Sequence, residues 1–347
     1  MQAFPTLLAG IAAALAASAC MDLPTAAATG SCDPAYQSIA RFVDSTAESH
    51  SAFGAALLLV RDGRVVCERY RGAFNETSEL PAASASKWLT GVAILTLADA
   101  GKLSLGEPAS ARLPYLAGAA AAITPRQLLS HTSGLADGQA CLFDAGSTLD
   151  ACSRQIAATP PAYAPGTEFR YGGSSFTVAG RLAEVATGQS WNALFAERVA
   201  GPLGWRKTRW EGGNPVLAGG AITTVPEYGM LLRMLLAGGA WNGHQVLSAA
   251  ALAELTRDNV GTAPMTETPR TGVHGYGLGV WRDAVDGAGR ATQISSPGAS
   301  GFYPWVDFGR NVAGIVVLPA RDAADGYWYD ATLQVQARLR QIVDSGH

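Results

Sequence analysis

The chain has 347 residues, 48% of them hydrophobic and 15% charged, with a formal net charge of −3. That length is enough to bury a sizeable core, and the low charge fraction excludes a disordered tail or a charged coiled coil. No Lys/Arg cluster stands out, so no nucleic-acid partner is expected.

Leu7 to Ala19 is an apolar, small-residue run too short to cross a bilayer. It ends in small residues before Cys20, as a secretory signal does, although no Lys or Arg precedes it. Ala17-Ser18-Ala19-Cys20 resembles a bacterial lipoprotein signal, with Ala17 where Leu is usual. Residues 1–30 are therefore set aside as a signal and short linker. The expected destination is the periplasm, a membrane anchor through lipidated Cys20, or secretion. Cys32, Cys67, Cys141 and Cys152 then remain, and four cysteines permit three pairings. Pairing Cys141 with Cys152 closes a short loop and leaves Cys32 for Cys67, as an oxidising compartment would allow. Four separate buried thiols are the other reading.

Pro34–His50 has helical spacing at Tyr36, Ile39, Ala40 and Val43. Ala55–Val60 and Val65–Tyr70, separated by Asp62-Gly63, form a predicted hairpin. A helix is predicted from about Ser84 to Ala100, stopped by Gly101. Helical patterns broken by Gly and Pro dominate the middle, at Arg126–Ser130, Phe176–Thr187, Trp191–Val199, Tyr228–Leu236 and Ala249–Asp258. Strands are predicted at Tyr276–Arg282, Ala291–Ser295, Gly301–Asp307 and Val312–Pro319, then a helix over Ala331–Val343. This order suits an α+β fold, an antiparallel sheet flanked by helices and built from both chain ends, with an inserted helical lobe. The expected organisation of 31–347 is an α/β lobe from 31–100 and 270–347, with a helical lobe over 101–269.

Several chemistries are excluded. Gly298-Ala299-Ser300-Gly301-Phe302 lacks the final glycine of a G-x-S-x-G elbow, and no P-loop, dinucleotide fingerprint or H-E-x-x-H occurs. No C-x-x-C or His pair has metal spacing, so neither a metal nor an organic cofactor is expected. The positive signal is Ser84-Ala85-Ser86-Lys87, because residues three apart share a helical face. A serine hydroxyl needs a neighbouring base, and a lysine can serve if desolvation and nearby positive charge lower its pKa. The chain holds three lysines against twenty-two arginines, and arginine cannot deprotonate to act as a base.

Three further segments carry a resemblance. Ile123-Thr124-Pro125-Arg126-Gln127-Leu128-Leu129-Ser130-His131-Thr132-Ser133-Gly134-Leu135 resembles the signature following the S-x-x-K helix in the class C β-lactamase and penicillin-binding-protein-like superfamily, which includes the family VIII carboxylesterases. Gly101-Lys102-Leu103-Ser104-Leu105 resembles the G-K-L-x-L-D stretch before it, with Gly106 in place of Asp. Phe169-Arg170-Tyr171, followed by Ala179-Gly180-Arg181-Leu182, resembles the segment that carries Y-x-N. The resemblance implies a β-lactamase/transpeptidase-like fold over 31–347. It also implies Ser84 as acyl-accepting nucleophile, Lys87 as its base and Tyr171 as a second proton-transfer group. Backbone N–H groups of Ser84 and Ala299 would form the oxyanion hole. Two departures stand out: Gly173 replaces the Asn of Y-x-N, and Ser296-Pro297-Gly298 replaces K-T-G. Gly173, Ser296, Gly298, His274 and Trp305 are the substrate-binding candidates, with Tyr303 and Trp281 also weighed for the acyl pocket. Only if a cephalosporin were turned over faster than simple esters would another residue, an Arg such as Arg270 or Arg282, have to hold its carboxylate in place of the missing Lys. His131 is expected to pack its loop.

The expected activity is an exported serine hydrolase, a carboxylesterase or amide hydrolase on small ester or amide substrates, with no predictable protein partner. The alternatives are a D-alanyl peptidase or β-lactamase, and an inactive binding protein that keeps the fold.

Overall fold

The structure is a computed structural model that describes residues 28–319 and 326–346. The Leu7–Ala19 run and Cys20 lie outside the described residues. Among those described, no helix is long and apolar enough to cross a membrane.

Asp62 and Gly63 both take positive φ, 50° and 74°, as a tight hairpin turn requires, and join strands β2 (Gly54–Arg61) and β3 (Arg64–Gly72). A short edge strand, β1 (Thr29–Cys32), pairs with β3 and was not expected from the sequence, since its four residues carry no alternating apolar pattern. The chain returns to this sheet only near its end, through β4 (Trp281–Val285), β5 (Ala291–Ser295), β6 (Phe302–Asp307) and β7 (Val312–Val317). The seven strands lie in the order β1-β3-β2-β7-β6-β5-β4, every pair antiparallel. The seam runs from Val312 opposite Arg61 to Val317 opposite Ala56, so the sheet is built from both chain ends.

Period-two alternation divides the core. Ala55, Leu57 and Leu59 face helices α1 (Gln37–Ser49) and α8 (Tyr327–Asp344) through Ile39, Val43, Val335 and Leu339. Ala56, Leu58 and Val60 face the opposite way, onto α2 (Ser86–Asp99) and the inserted helices. Those inserted helices include α3 (Pro125–Leu129), α4 (Leu149–Ala158), α5 (Ser174–Thr187), α6 (Val225–Leu236) and α7 (Ala249–Thr256). Helix α2 is enclosed by protein on every side: every residue from Ser86 to Leu97 is buried, the polar Ser86, Lys87, Thr90 and Thr96 among them.

The predicted strand over Tyr276–Arg282 is corrected. Only Trp281 and Arg282 join β4, and Tyr276 bridges back to Trp281 across a turn. The cause is a close approach to α2. Gly279 has φ 92°, and a Cβ there would lie 2.3 Å from the Lys87 carbonyl oxygen. Gly91 reciprocates, since its Cβ would lie 2.1 Å from the Leu278 oxygen. Both expected disulfides are present. Cys32–Cys67 links register partners on β1 and β3, and Cys141–Cys152 ties a loop to α4.

Candidate active site

Ser84 lies in a single 3₁₀ turn, Ala83–Ala85, that runs into α2. Ala83 has φ 44°, a left-handed conformation that costs a non-glycine residue about 1–3 kcal/mol and persists only where neighbours fix it. The neighbours are identifiable. The Ala82 N–H donates to the Ala221 carbonyl at 2.9 Å, and the Tyr228 hydroxyl donates to the Ala85 carbonyl at 3.0 Å. The Ser86 hydroxyl accepts from the Ala221 N–H at 2.9 Å. The Ser296 hydroxyl lies 3.1 Å from the Ser84 carbonyl and 3.3 Å from that of Gly279.

One helical turn on, Lys87 is 3% exposed, and its Nζ donates to Ser84 Oγ at 3.3 Å and to the Ala218 carbonyl at 2.8 Å. The same Nζ sits 4.4 Å from the centroid of the Tyr171 ring, so the ring face holds the amine from the third side. Tyr171 stacks on Trp281, with centroids 5.2 Å apart, and its hydroxyl makes no hydrogen bond to Ser84 or Lys87. These groups open on a cavity of about 430 Å³ lined by Ser84, Tyr171, Asp137, Trp281, Pro297 and Ala299, among others. The Ala299 N–H has no hydrogen-bond partner among the described residues and lies in the turn after β5, on the wall of that cavity. A polarised carbonyl oxygen placed there would meet it.

The structure places the other candidates differently. Trp305 is fully buried on the α1/α8 face of the sheet, its ring over the bare Cα of Gly314, so strand alternation turns it away from Ser84. Tyr303 shares that face, whereas Trp281 does line the cavity. His274 is exposed and outside the cavity; its backbone pairs with Arg282. Ser296 is 1% exposed with its hydroxyl on two carbonyls, which makes it a clamp on the Ser84 turn rather than a substrate contact. Gly298 is likewise a close-approach position: a Cβ there would lie 2.2 Å from the Ala82 carbonyl oxygen. Gly173 starts α5 without lining the cavity, and its N–H is held by Asp137. Arg282 is spent on the carbonyls of Thr256, His274 and Gly289.

Arg270 does reach the cavity, but its guanidinium pairs with Asp283 at 2.8 Å and bonds Ser295 Oγ at 3.0 Å and the Tyr329 hydroxyl at 2.9 Å. His131 is packed among Phe169, Tyr171, Phe176 and Tyr276, with its Nδ1 accepting from the Gly172 N–H at 3.3 Å. Burial first, and then the Lys87 charge, push its pKa well below the usual 6.5, so it stays neutral. Asp137 also lines the cavity and accepts from the Gly173 and Ser174 N–H groups, a place that nothing in the sequence announces, because an acidic residue beside Gly138 reads there as an ordinary turn.

Fold and site together define a β-lactamase/transpeptidase-like architecture, with a serine and lysine one turn apart at the head of a buried helix. A family model described as Beta-lactamase matches residues 39–337, and the chain belongs to that family of hydrolases. It is 30% identical over 299 residues to penicillin-binding protein 4 of Amycolatopsis lactamdurans, covering 71% of this chain and 76% of that one. Esterase EstB of Burkholderia gladioli is 29% identical over 201 residues, half of each chain. The crystal structure of a candidate beta-lactamase from Bacteroides dorei DSM 17855 superposes with a TM-score of 0.81 at 31% identity, covering 89% of this chain and 99% of that one.

Proposed function

We propose that the protein is an acyl-enzyme serine hydrolase acting on small esters or amides, with carboxylesterase activity foremost. The observation that carries this reading is the 3.3 Å approach of Lys87 Nζ to Ser84 Oγ beside the unpartnered Ala299 N–H. In the first half-reaction Ser84 Oγ attacks the substrate carbonyl as its proton passes to Lys87, and the developing oxyanion is met by the N–H groups of Ser84 and Ala299. The alcohol or amine leaves with the proton returned from Lys87, and Tyr171, whose ring covers Lys87 Nζ, joins the transfer once its hydroxyl engages the bound substrate. Water then attacks the acyl-Ser84 ester through the same groups, releasing the acid and restoring the serine. Tyr171→Phe tests the relay, with an expected loss of about a hundredfold in turnover.

Ester preference over β-lactams follows from the clamp role of Ser296. The position that carries a lysine in K-T-G points into the Ser84 backbone, and Pro297 beside it has no N–H to give. An absent charge-assisted hydrogen bond to a carboxylate lowers affinity or rate by about ten- to a hundredfold. Hydrolysis of p-nitrophenyl butyrate should therefore exceed that of a cephalosporin in kcat/KM. The reverse order would favour the β-lactam reading that the name penicillin-binding protein 4 suggests for a relative. Export is supported by the two disulfides, which persist in oxidising compartments, and anchoring through lipidated Cys20 is part of the same proposal.

A further inference from the structure

Asp137 is the charge in the Ser84 cavity that has no counterpart. Glu267 also lines it but pairs with Arg170 at 3.2 Å, and Arg270 pairs with Asp283. Lys87, behind Ser84, is occupied by Ser84, Ala218 and the Tyr171 ring. Asp137 makes no ion pair among the described residues, yet its position is fixed. Its Oδ1 accepts the Gly173 and Ser174 N–H groups at 2.8 and 2.9 Å, at the start of α5, which leaves Oδ2 unengaged. The chain is shaped to admit that carboxylate: a Cβ on Gly172 would lie 2.4 Å from Oδ2 and from Cγ. A side chain at 172 would thus displace Asp137 from the cavity wall. Tyr171 and Trp281 supply stacked aromatic wall to the same cavity.

From this geometry we infer that the Ser84 cavity selects substrates bearing an ammonium group, held by Asp137. The inference rests on the hydrolase reading above and narrows its substrate class to cationic esters or amides. A pre-oriented carboxylate attracts a fixed cation and repels the carboxylate of an anionic substrate. Because Asp137 is exposed to solvent, which weakens its pull on a cation, a modest preference is expected, about three- to tenfold over an uncharged isostere.

The test compares two isosteric pairs on the full chain. One is the p-nitrophenyl ester of γ-trimethylammoniobutyrate against the ester in which tert-butyl replaces trimethylammonium. The other is choline butyrate against its tert-butyl counterpart, which places the cation on the leaving group. The readout is the ratio of kcat/KM within each pair, from which any general loss of activity cancels. Wild-type enzyme should favour the cation in at least one pair, by about three- to tenfold, and the ratio should shrink as salt is raised. Asp137→Asn keeps an acceptor for the Gly173 and Ser174 amides while removing the charge, and should bring the ratio close to one. Equal rates within both pairs, a salt-independent ratio, or a preference that survives Asp137→Asn would each overturn the inference. The uncharged esters report separately on the hydrolase reading: if no ester of either pair is turned over, that reading fails and this inference with it.

Discussion

Replacing Lys87 by methionine separates its chemical part from its structural one. The side chain is almost wholly buried, and unbranched methionine fills much of the same channel beneath Tyr171. The Ala218 carbonyl loses its donor, at a cost of about 1–3 kcal/mol, while a polar amine no longer has to be buried. The two effects oppose, so stability should move by less than about 2 kcal/mol, read from urea denaturation. Activity should move far more. General-base catalysis contributes about 10²- to 10⁴-fold, equivalent to about 2.7–5.4 kcal/mol in the barrier. The assay is kcat/KM for p-nitrophenyl butyrate beside the urea midpoint. Lys87→Arg should lose about a hundredfold or more as well, since guanidinium keeps the charge but cannot accept the Ser84 proton. A folded Lys87→Met enzyme within tenfold of wild type would refute the base assignment.

Ser296→Ala removes the clamp on the Ser84 and Gly279 carbonyls; the urea midpoint should drop by the equivalent of about 1–2 kcal/mol and kcat should fall, and no change in either would remove the clamp role. His131 is held neutral in the folded state, whereas the unfolded chain takes up a proton below about pH 6.5. Its contribution to stability is therefore present above that pH and lost as pH falls, by up to about 1.4 kcal/mol per unit. His131→Asn tolerates the φ of 60° and does not titrate, so its stability–pH curve should be shallower by that slope below pH 6; identical curves would contradict the assignment. Thiol titration of denatured, unreduced protein from an oxidising compartment should find Cys32, Cys67, Cys141 and Cys152 unreactive, and four free thiols would exclude both bridges.

The parts of the fold legible in the sequence are those set by local rules. The Asp62-Gly63 turn announces its hairpin, and the i, i+3 spacing of Ser84 and Lys87 places hydroxyl and amine on one face of α2. The parts that were not legible depend on contacts between distant segments. Tyr276–Arg282 has strand composition, but Gly277 and Gly279 are there to press against the Leu255 and Lys87 carbonyls, which no local pattern reveals. Trp305 and Trp281 look alike in sequence; the sheet register sends one to the α1/α8 face and the other to the cavity. Ser296 reads as a lost substrate group until its hydroxyl is seen on the Ser84 backbone carbonyl. Asp137 gains meaning only when the bare Gly172 is brought against it.

The most direct test of the central claim is labelling with a fluorophosphonate, with the modified residue located by peptide mass spectrometry. A single adduct is expected on Ser84, absent from a Ser84→Ala variant whose thermal stability stays within about 1 kcal/mol of wild type. An adduct on another serine, or ester hydrolysis by Ser84→Ala at the wild-type rate, would contradict the assignment of Ser84 as the acyl-accepting nucleophile.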